Sequence, residues 1–189
     1  MSQVEITKRI ESFKKSIHVS GDKSLSIRWV LFASLADGIS NAKNLLLSED
    51  VLATIKVLKK LGIKSRIKNN SCKIYGKGIN GFEYKKNITL NAENSGTLGR
   101  LILGLLINTP HRIKLIGDKS LSKRDFRRIS DPLSKFGATF QLNKNKGLPL
   151  TILGSKELKP IHYYEKRGSA QCKSAVIFGG MRTGGKTLI

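Results

Sequence analysis

The 189-residue chain carries 35 Lys and Arg against 13 Asp and Glu, a formal charge of +22, so its partners are expected to be anionic. Its hydrophobic share of 39% suffices for a core and excludes a disordered chain. No apolar run reaches the length of a membrane span, and the opening MSQVEITKRIESFKK lacks the apolar centre of a signal peptide, so a cytoplasmic protein without membrane contact is expected.

In chain order, Lys15–Val19 reads as a short strand entering the turn Gly21-Asp22-Lys23-Ser24. Ser24–Ala36 follows with apolar residues at helical spacing (Leu25, Trp29, Leu31, Phe32, Leu35), and Asp37-Gly38 stops it. Ala42–Leu47 reads as extended. Ser48 is a candidate N-cap for a helix through Lys60, with Glu49 and Asp50 in its first turn and Lys59 and Lys60 in its last. Lys64–Lys68 and Cys72–Tyr75 read as strands about an Asn69-Asn70 turn, and Asn87–Leu90 as a further strand. A helix is expected over Ser95–Ile107, a strand over Arg112–Ile116, and a helix over Arg124–Phe136 in spite of Pro132. Ala138–Leu142 and Leu148–Leu153 read as strands, Ser169–Gly179 as a helix, and Lys186–Ile189 as the start of a strand. The strand–turn–helix–strand–helix–strand–strand order recurs, which predicts an α/β (α+β) fold of repeated units.

The string GDKSLS occurs twice, at Gly21–Ser26 and Gly117–Ser122, each time followed by one variable residue and then Arg28 or Arg124. Both copies lead from a strand into a helix. A helix start offers unpaired backbone N–H groups and the positive end of the helix dipole, and Lys, Ser and Arg add charge and donors. With Asn94-Ser95-Gly96-Thr97 at a third helix start, three turns suited to phosphate or carboxylate emerge. Gly180–Thr187 fits the GxxxxGK[ST] phosphate-loop string. Its context is wrong, because a helix precedes it and no helix pattern follows, so it reads as a helix-to-strand turn. Cys72 and Cys172 stand outside any CxxC or Cys/His cluster, and His18, His111 and His162 are scattered, so reduced thiols and no metal site are expected.

Four stretches resemble the 3-phosphoshikimate 1-carboxyvinyltransferase (EPSP synthase) family: Ser20–Arg28, Glu93–Thr97 with Arg100, Gly117–Arg124 continuing to Asp131-Pro132-Leu133, and Gly168–Ala175. The resemblance covers nearly the whole chain and implies repeated βαβαββ-type units of the enolpyruvyl transferase fold, here incomplete. It implies transfer of the enolpyruvyl group of phosphoenolpyruvate to the 5-hydroxyl of shikimate 3-phosphate, with release of phosphate, by a monomer using no cofactor. By motif, Lys23 would touch both substrates. Ser24, Arg28, Ser169 and Ala170 would hold shikimate 3-phosphate, Gly96 and Arg124 would hold phosphoenolpyruvate, and Gln171 would meet both. Ser20, Glu93 and Asp125 depart from the family's usual Pro, Gly and Pro at those positions.

Family members are more than twice as long. The resemblance therefore implies a fragment inactive alone, with residues 1–20 as leading strands of a second, mostly missing domain and 21–189 as most of the first substrate-binding domain. The catalytic proton-transfer residues would lie in the missing half. Two other readings stand beside this one. A sister family transfers enolpyruvyl to UDP-N-acetylglucosamine, but its opening turn typically reads Lys-Asn, where this chain has Lys23-Ser24, and it uses a loop cysteine. A basic nucleic-acid-binding module would suit the charge, but the lysines are spread as singles and pairs, and no RNP-like, zinc-finger or leucine-zipper pattern supports it.

Overall fold

A computed structural model describes residues 4–5, 7–9, 11–12 and 14–189. The first unit runs α1 (Lys23–Leu35), β1 (Asp37–Ala42), α2 (Glu49–Lys60), β2 (Lys64–Lys68) and β3 (Ser71–Lys77). The second runs β4 (Thr89–Asn91), α3 (Gly96–Leu105), β5 (Ile113–Ile116), the single turn α4 (Lys119–Ser122), α5 (Arg127–Ser134), β6 (Thr139–Leu142) and β7 (Leu150–Leu153). A third opens with α6 (Ala170–Gly180), flanked by a parallel bridge between His162 and Leu188.

Strand pairing shows that the units are equivalent. In the first sheet the order is β1-β3-β2, antiparallel throughout. In the second it is β4-β5-β7-β6, where β5, β7 and β6 repeat that antiparallel trio and β4 adds a parallel neighbour to β5. The His162–Leu188 bridge, parallel around α6, repeats the parallel β4–β5 pair around α3. The helices α1, α3 and α6 are thus three copies of one inner position.

Their packing forms the core. Ile27, Val30 and Leu31 of α1, Leu98, Leu101 and Ile102 of α3, and Ala175, Val176 and Phe178 of α6 are all buried. The α3–α6 contact is so close that a Cβ at Gly104 would lie 2.1 Å from the Ala175 carbonyl oxygen, so only glycine fits there. Phe32 of α1 packs on Phe178 of α6 with ring centroids 4.6 Å apart.

Several expectations need correction. Lys15–Val19 forms no strand and is exposed. Among the described residues it has no ladder partner, and the side-chain bond that reaches it runs from Asn44 Nδ2 to the Val19 carbonyl (3.1 Å). Other parts of the expected leading segment 1–20 (residues 1–3, 6, 10 and 13) fall outside the described residues. The strand expected at Ala42–Leu47 lies earlier, at Asp37–Ala42, because its register is fixed by pairing to β3 from Asp37↔Lys77 to Ala42↔Cys72. The helix expected over Arg124–Phe136 is shorter, running from Arg127 to Ser134, because Asp125 Oδ1 accepts from Arg127 N (2.8 Å) at its start, and a separate turn, α4, precedes it. Lys186–Ile189 contributes one bridge residue, Leu188, and no strand.

Candidate active site

The repeated motif is first a capping device. Asp22 Oδ1 accepts from Leu25 N (2.7 Å) at the start of α1, and Asp118 Oδ1 accepts from Leu121 N (2.6 Å) at the start of α4. Ser95 caps α3 through Leu98 N, and Ser169 caps α6 through Cys172 N, both at 3.3 Å. The two GDKS copies are not equal. The first opens a helix of 13 residues, whereas the second opens a single turn of 4. The second copy therefore supplies side chains, not a sizeable dipole.

Beside the starts of α1 and α3 lies a cavity of about 390 Å³ lined by Lys23, Asp50, Asn94, Gly96, Thr97, Asp118, Ser120, Arg124 and Gln171. Its size suits a small molecule. Lys23, Gly96, Arg124 and Gln171 of the sequence-derived set meet here; Ser24, Arg28, Ser169 and Ala170 do not line it. They form an adjoining cluster. Arg28 Nη1 donates to the Ser24 carbonyl (3.2 Å), and Ser174 Oγ, which accepts from Arg28, donates to the Ala170 carbonyl (2.7 Å). Gln171, beside Ala170 in the sequence, joins the two clusters.

The cavity wall carries two cations, Lys23 and Arg124, and two carboxylates, Asp50 and Asp118, and its cationic side lies at Gly96. An added Cβ at Gly96 would stand 2.7 Å from Arg124 Nη1 and 3.0 Å from Arg100 Nη1, so two guanidinium groups lie directly against this backbone. Arg100 donates to Gln171 Oε1 and to the Gly96 carbonyl (3.3 Å), while Gln171 Nε2 donates to Thr97 Oγ1 (3.0 Å). The Gln171 amide is therefore clamped from two sides. Burial lowers the Arg100 pKa, with the nearby Arg124 charge adding to the effect. Such crowding of like charges favours any anion that enters between them.

Two of the unusual acidic residues are turned to other partners. Glu93 Oε1 pairs with Lys56 Nζ at 3.3 Å, and Asp125 is held by Arg127. Neither lines the cavity. Asp50 does, although the sequence marks it only as an acid in the first turn of α2. Arg100 and Ser174 stand in the motif stretches, but the sequence assigns neither a role. The Gly180–Thr187 string begins at the last residue of α6 and turns through Arg182 N to Gly179 O (2.9 Å) and Thr183 N to Gly180 O (3.2 Å), as a helix end does. Both cysteines are buried free thiols. Among the described residues no group of three or more His, Cys, Asp or Glu could hold a metal, and no helix is long and apolar enough to cross a membrane.

Repeated parallel βαβ turns, with helix starts and the guanidinium groups of Arg100 and Arg124 gathered beside one cavity, define an α/β protein suited to small, multiply charged anions. The family model for EPSP synthase (3-phosphoshikimate 1-carboxyvinyltransferase) matches residues 7–189, and the chain belongs to that family. It is 42% identical to the 3-phosphoshikimate 1-carboxyvinyltransferase of Streptococcus agalactiae serotype Ia, over 94% of this chain and 42% of that protein. With the enzyme of Streptococcus suis it shares 40% identity over 98% of this chain and 44% of that protein. The solved EPSP synthase of Acinetobacter baumannii superposes with a TM-score of 0.85 at 35% identity, over 90% of this chain and 39% of that one. The chain thus spans less than half the length of the relatives it matches.

Proposed function

We propose that this chain forms part of a cleft in which the enolpyruvyl group of phosphoenolpyruvate passes to the 5-hydroxyl of shikimate 3-phosphate, releasing phosphate. The observation that carries this reading is the convergence of Lys23, Gly96, Arg124 and Gln171, one from each of the four motif stretches, on one cavity. Lys23 and Arg124 would hold the phosphate of phosphoenolpyruvate, with the Gly96 backbone close beside it. Fixed cations of this kind stabilise charge that develops during transfer without reorganising at the moment of reaction. Ser24, Arg28, Ser169 and Ala170 would hold shikimate 3-phosphate, with Gln171 and Lys23 between the two ligands. No general acid or base is assigned within this chain.

In the same reading, residues 21–189 belong to one substrate-binding domain and 1–20 lead from another. The enzyme would act as a cytoplasmic monomer without a cofactor. Calorimetric titration of the chain with shikimate 3-phosphate, phosphoenolpyruvate, UDP-N-acetylglucosamine and duplex DNA tests the proposal. Saturable binding of shikimate 3-phosphate, lost in Arg28→Ala, is expected. Preference for UDP-N-acetylglucosamine would hand the reading to the sister family. Binding to DNA alone, falling steeply with salt, would replace it with a nucleic-acid function.

A further inference from the structure

We infer that Ser174 is a positioning residue that locks Arg28 so that its guanidinium presents one defined edge to an oxyanion of the substrate. The inference rests on the proposed function for the identity of that substrate. Its geometric half stands on the structure alone.

Arg28 lies on α1 and Ser174 on α6, 146 residues apart. Arg28 Nε and Nη2 both donate to Ser174 Oγ, at 3.2 and 3.1 Å. The same hydroxyl donates to the Ala170 carbonyl at 2.7 Å. A serine hydroxyl has one donor and two acceptor sites, and here all three are used. Back-bonding to the carbonyl four residues earlier is ordinary for a helical serine. Accepting the whole Nε–Nη2 side of an arginine from another helix is not.

The donors left over define the consequence. Guanidinium has five N–H groups. Ser174 takes one on Nε and one on Nη2, and the Ser24 carbonyl takes one on Nη1 at 3.2 Å. Among the described residues one N–H on each terminal nitrogen remains. With its Nε–Nη2 side occupied, the guanidinium is left its terminal nitrogens for a carboxylate or phosphate edge, which a planar fork can grip with two bonds. Phe32 and Phe178, each four residues further along its helix, pack with ring centroids 4.6 Å apart and planes tilted by 44°, and hold α1 and α6 in this register. Ser174 also ties Arg28 to the turn of Ser169 and Ala170, so an arginine from the first unit and a helix start from the third act as one surface.

Three readouts on the 189-residue chain test this. Removing the hydroxyl in Ser174→Ala is expected to weaken shikimate 3-phosphate binding about five- to fiftyfold. Phosphoenolpyruvate binding, assigned above to the neighbouring Lys23–Arg124 cavity, should change less than about twofold, as expected for a site that shares no partner with the lost bonds. Ser174→Thr, which keeps the hydroxyl, should restore affinity, a rescue that a loss of general helix packing would not give. Independently of any ligand, ¹⁵N relaxation of the Arg28 Nε–H should show an ordered group in the parent chain and a mobile one in Ser174→Ala. Equal shikimate 3-phosphate affinity in parent and Ser174→Ala would overturn the inference, and so would an Arg28 Nε–H equally mobile in both. If the parent binds no shikimate 3-phosphate, the proposed function fails, and the Nε–H measurement still decides whether Ser174 orders Arg28.

Discussion

Lys23 Nζ and Asp50 Oδ2 stand 3.7 Å apart on the wall of the cavity, and the carboxylate is the more buried partner, 17% exposed against 53% for the ammonium. An acid in an anion-receptive cavity works against ligand charge and also holds the lysine in place. At partial exposure the removed repulsion is worth about 1 kcal/mol, and the pair itself contributes less than that. Asp50→Asn is therefore expected to tighten inorganic phosphate binding by about three- to tenfold, the equivalent of roughly 1 kcal/mol. Titration at two salt concentrations checks it. Weaker binding would show that orientation of Lys23 outweighs repulsion.

Gly96→Ala tests the other side of the cavity. The new methyl would meet Arg124 Nη1 at 2.7 Å and Arg100 Nη1 at 3.0 Å. Both are ends of flexible side chains, so they can withdraw at little cost to the fold. Their withdrawal should instead cost binding. Phosphoenolpyruvate affinity is expected to fall about tenfold, as for loss of one charge-assisted hydrogen bond. Stability in urea should change by less than about 1 kcal/mol. A large loss of stability with intact affinity would reverse the assignment of Gly96 to the ligand.

What was legible in the sequence follows from what is local. The helix starts could be read because Asp22, Ser95, Asp118 and Ser169 bond to backbone three residues on. β1 could not, because DGISNA has no apolar alternation and its register is decided by β3. Lys15–Val19 has the composition of a strand, but composition does not supply a partner. The motif residues Lys23, Gly96, Arg124 and Gln171 were marked by recurrence and resemblance. Asp50, Arg100 and Ser174 were not singled out, because their roles come from contacts with Lys23, Gln171 and Arg28 that only the folded chain creates.

The contact between α3 and α6 predicts a large stability effect away from any ligand. A methyl at Gly104 would lie 2.1 Å from the Ala175 carbonyl oxygen, 3.0 Å from its carbon and 3.1 Å from Phe178 Cβ. Backbone cannot withdraw as a guanidinium can, so the two helices must separate. Overpacking of this kind costs about 1–3 kcal/mol, and a backbone clash belongs at or above the upper end. Gly104→Ala is expected to destabilise the chain by about 3 kcal/mol in urea unfolding. Because α3 carries Thr97 and Arg100 and α6 carries Gln171, shikimate 3-phosphate binding should weaken in the same variant. A stability change below about 1 kcal/mol would contradict this helix contact.

Asp125 offers a test by titration. Hydrogen bonds from the Arg127 side chain and backbone hold its pKa at about 2, below the ordinary 3.8. A carboxyl with a depressed folded-state pKa adds stability above its unfolded value and loses it as pH falls through the folded one. The contribution of this pair should therefore be complete above pH 4 and disappear toward pH 2. The pair is exposed, so Asp125→Asn is expected to leave stability at pH 7 nearly unchanged. Carboxyl chemical shifts followed from pH 6 to 1.5 would give the midpoint directly. A value near 4 would show that the pair does not form in solution, and raising salt should move a genuine pair's midpoint upward.

Arg182 closes α6 with a charge taken out of water. Burial lowers its pKa to about 10, and its Nε and Nη2 are buried without partners among the described residues. What offsets this is weak: the guanidinium lies 5.3 Å from the centre of the Phe82 ring, and Nη1 reaches Asn80 Oδ1 at 3.4 Å. Leu106 and Asn108, where α3 ends, line the same 170 Å³ cavity and add the negative end of a helix dipole. A methionine would keep the contact with the Phe82 ring and remove the desolvated charge. Arg182→Met is therefore expected to match or exceed the parent in stability, by up to about 2 kcal/mol. Arg182→Ala should be destabilised, by about 1–3 kcal/mol, through lost packing. Urea unfolding of the three chains separates the two contributions, and a Met variant as unstable as the Ala variant would show that the charge itself holds this end of the helix.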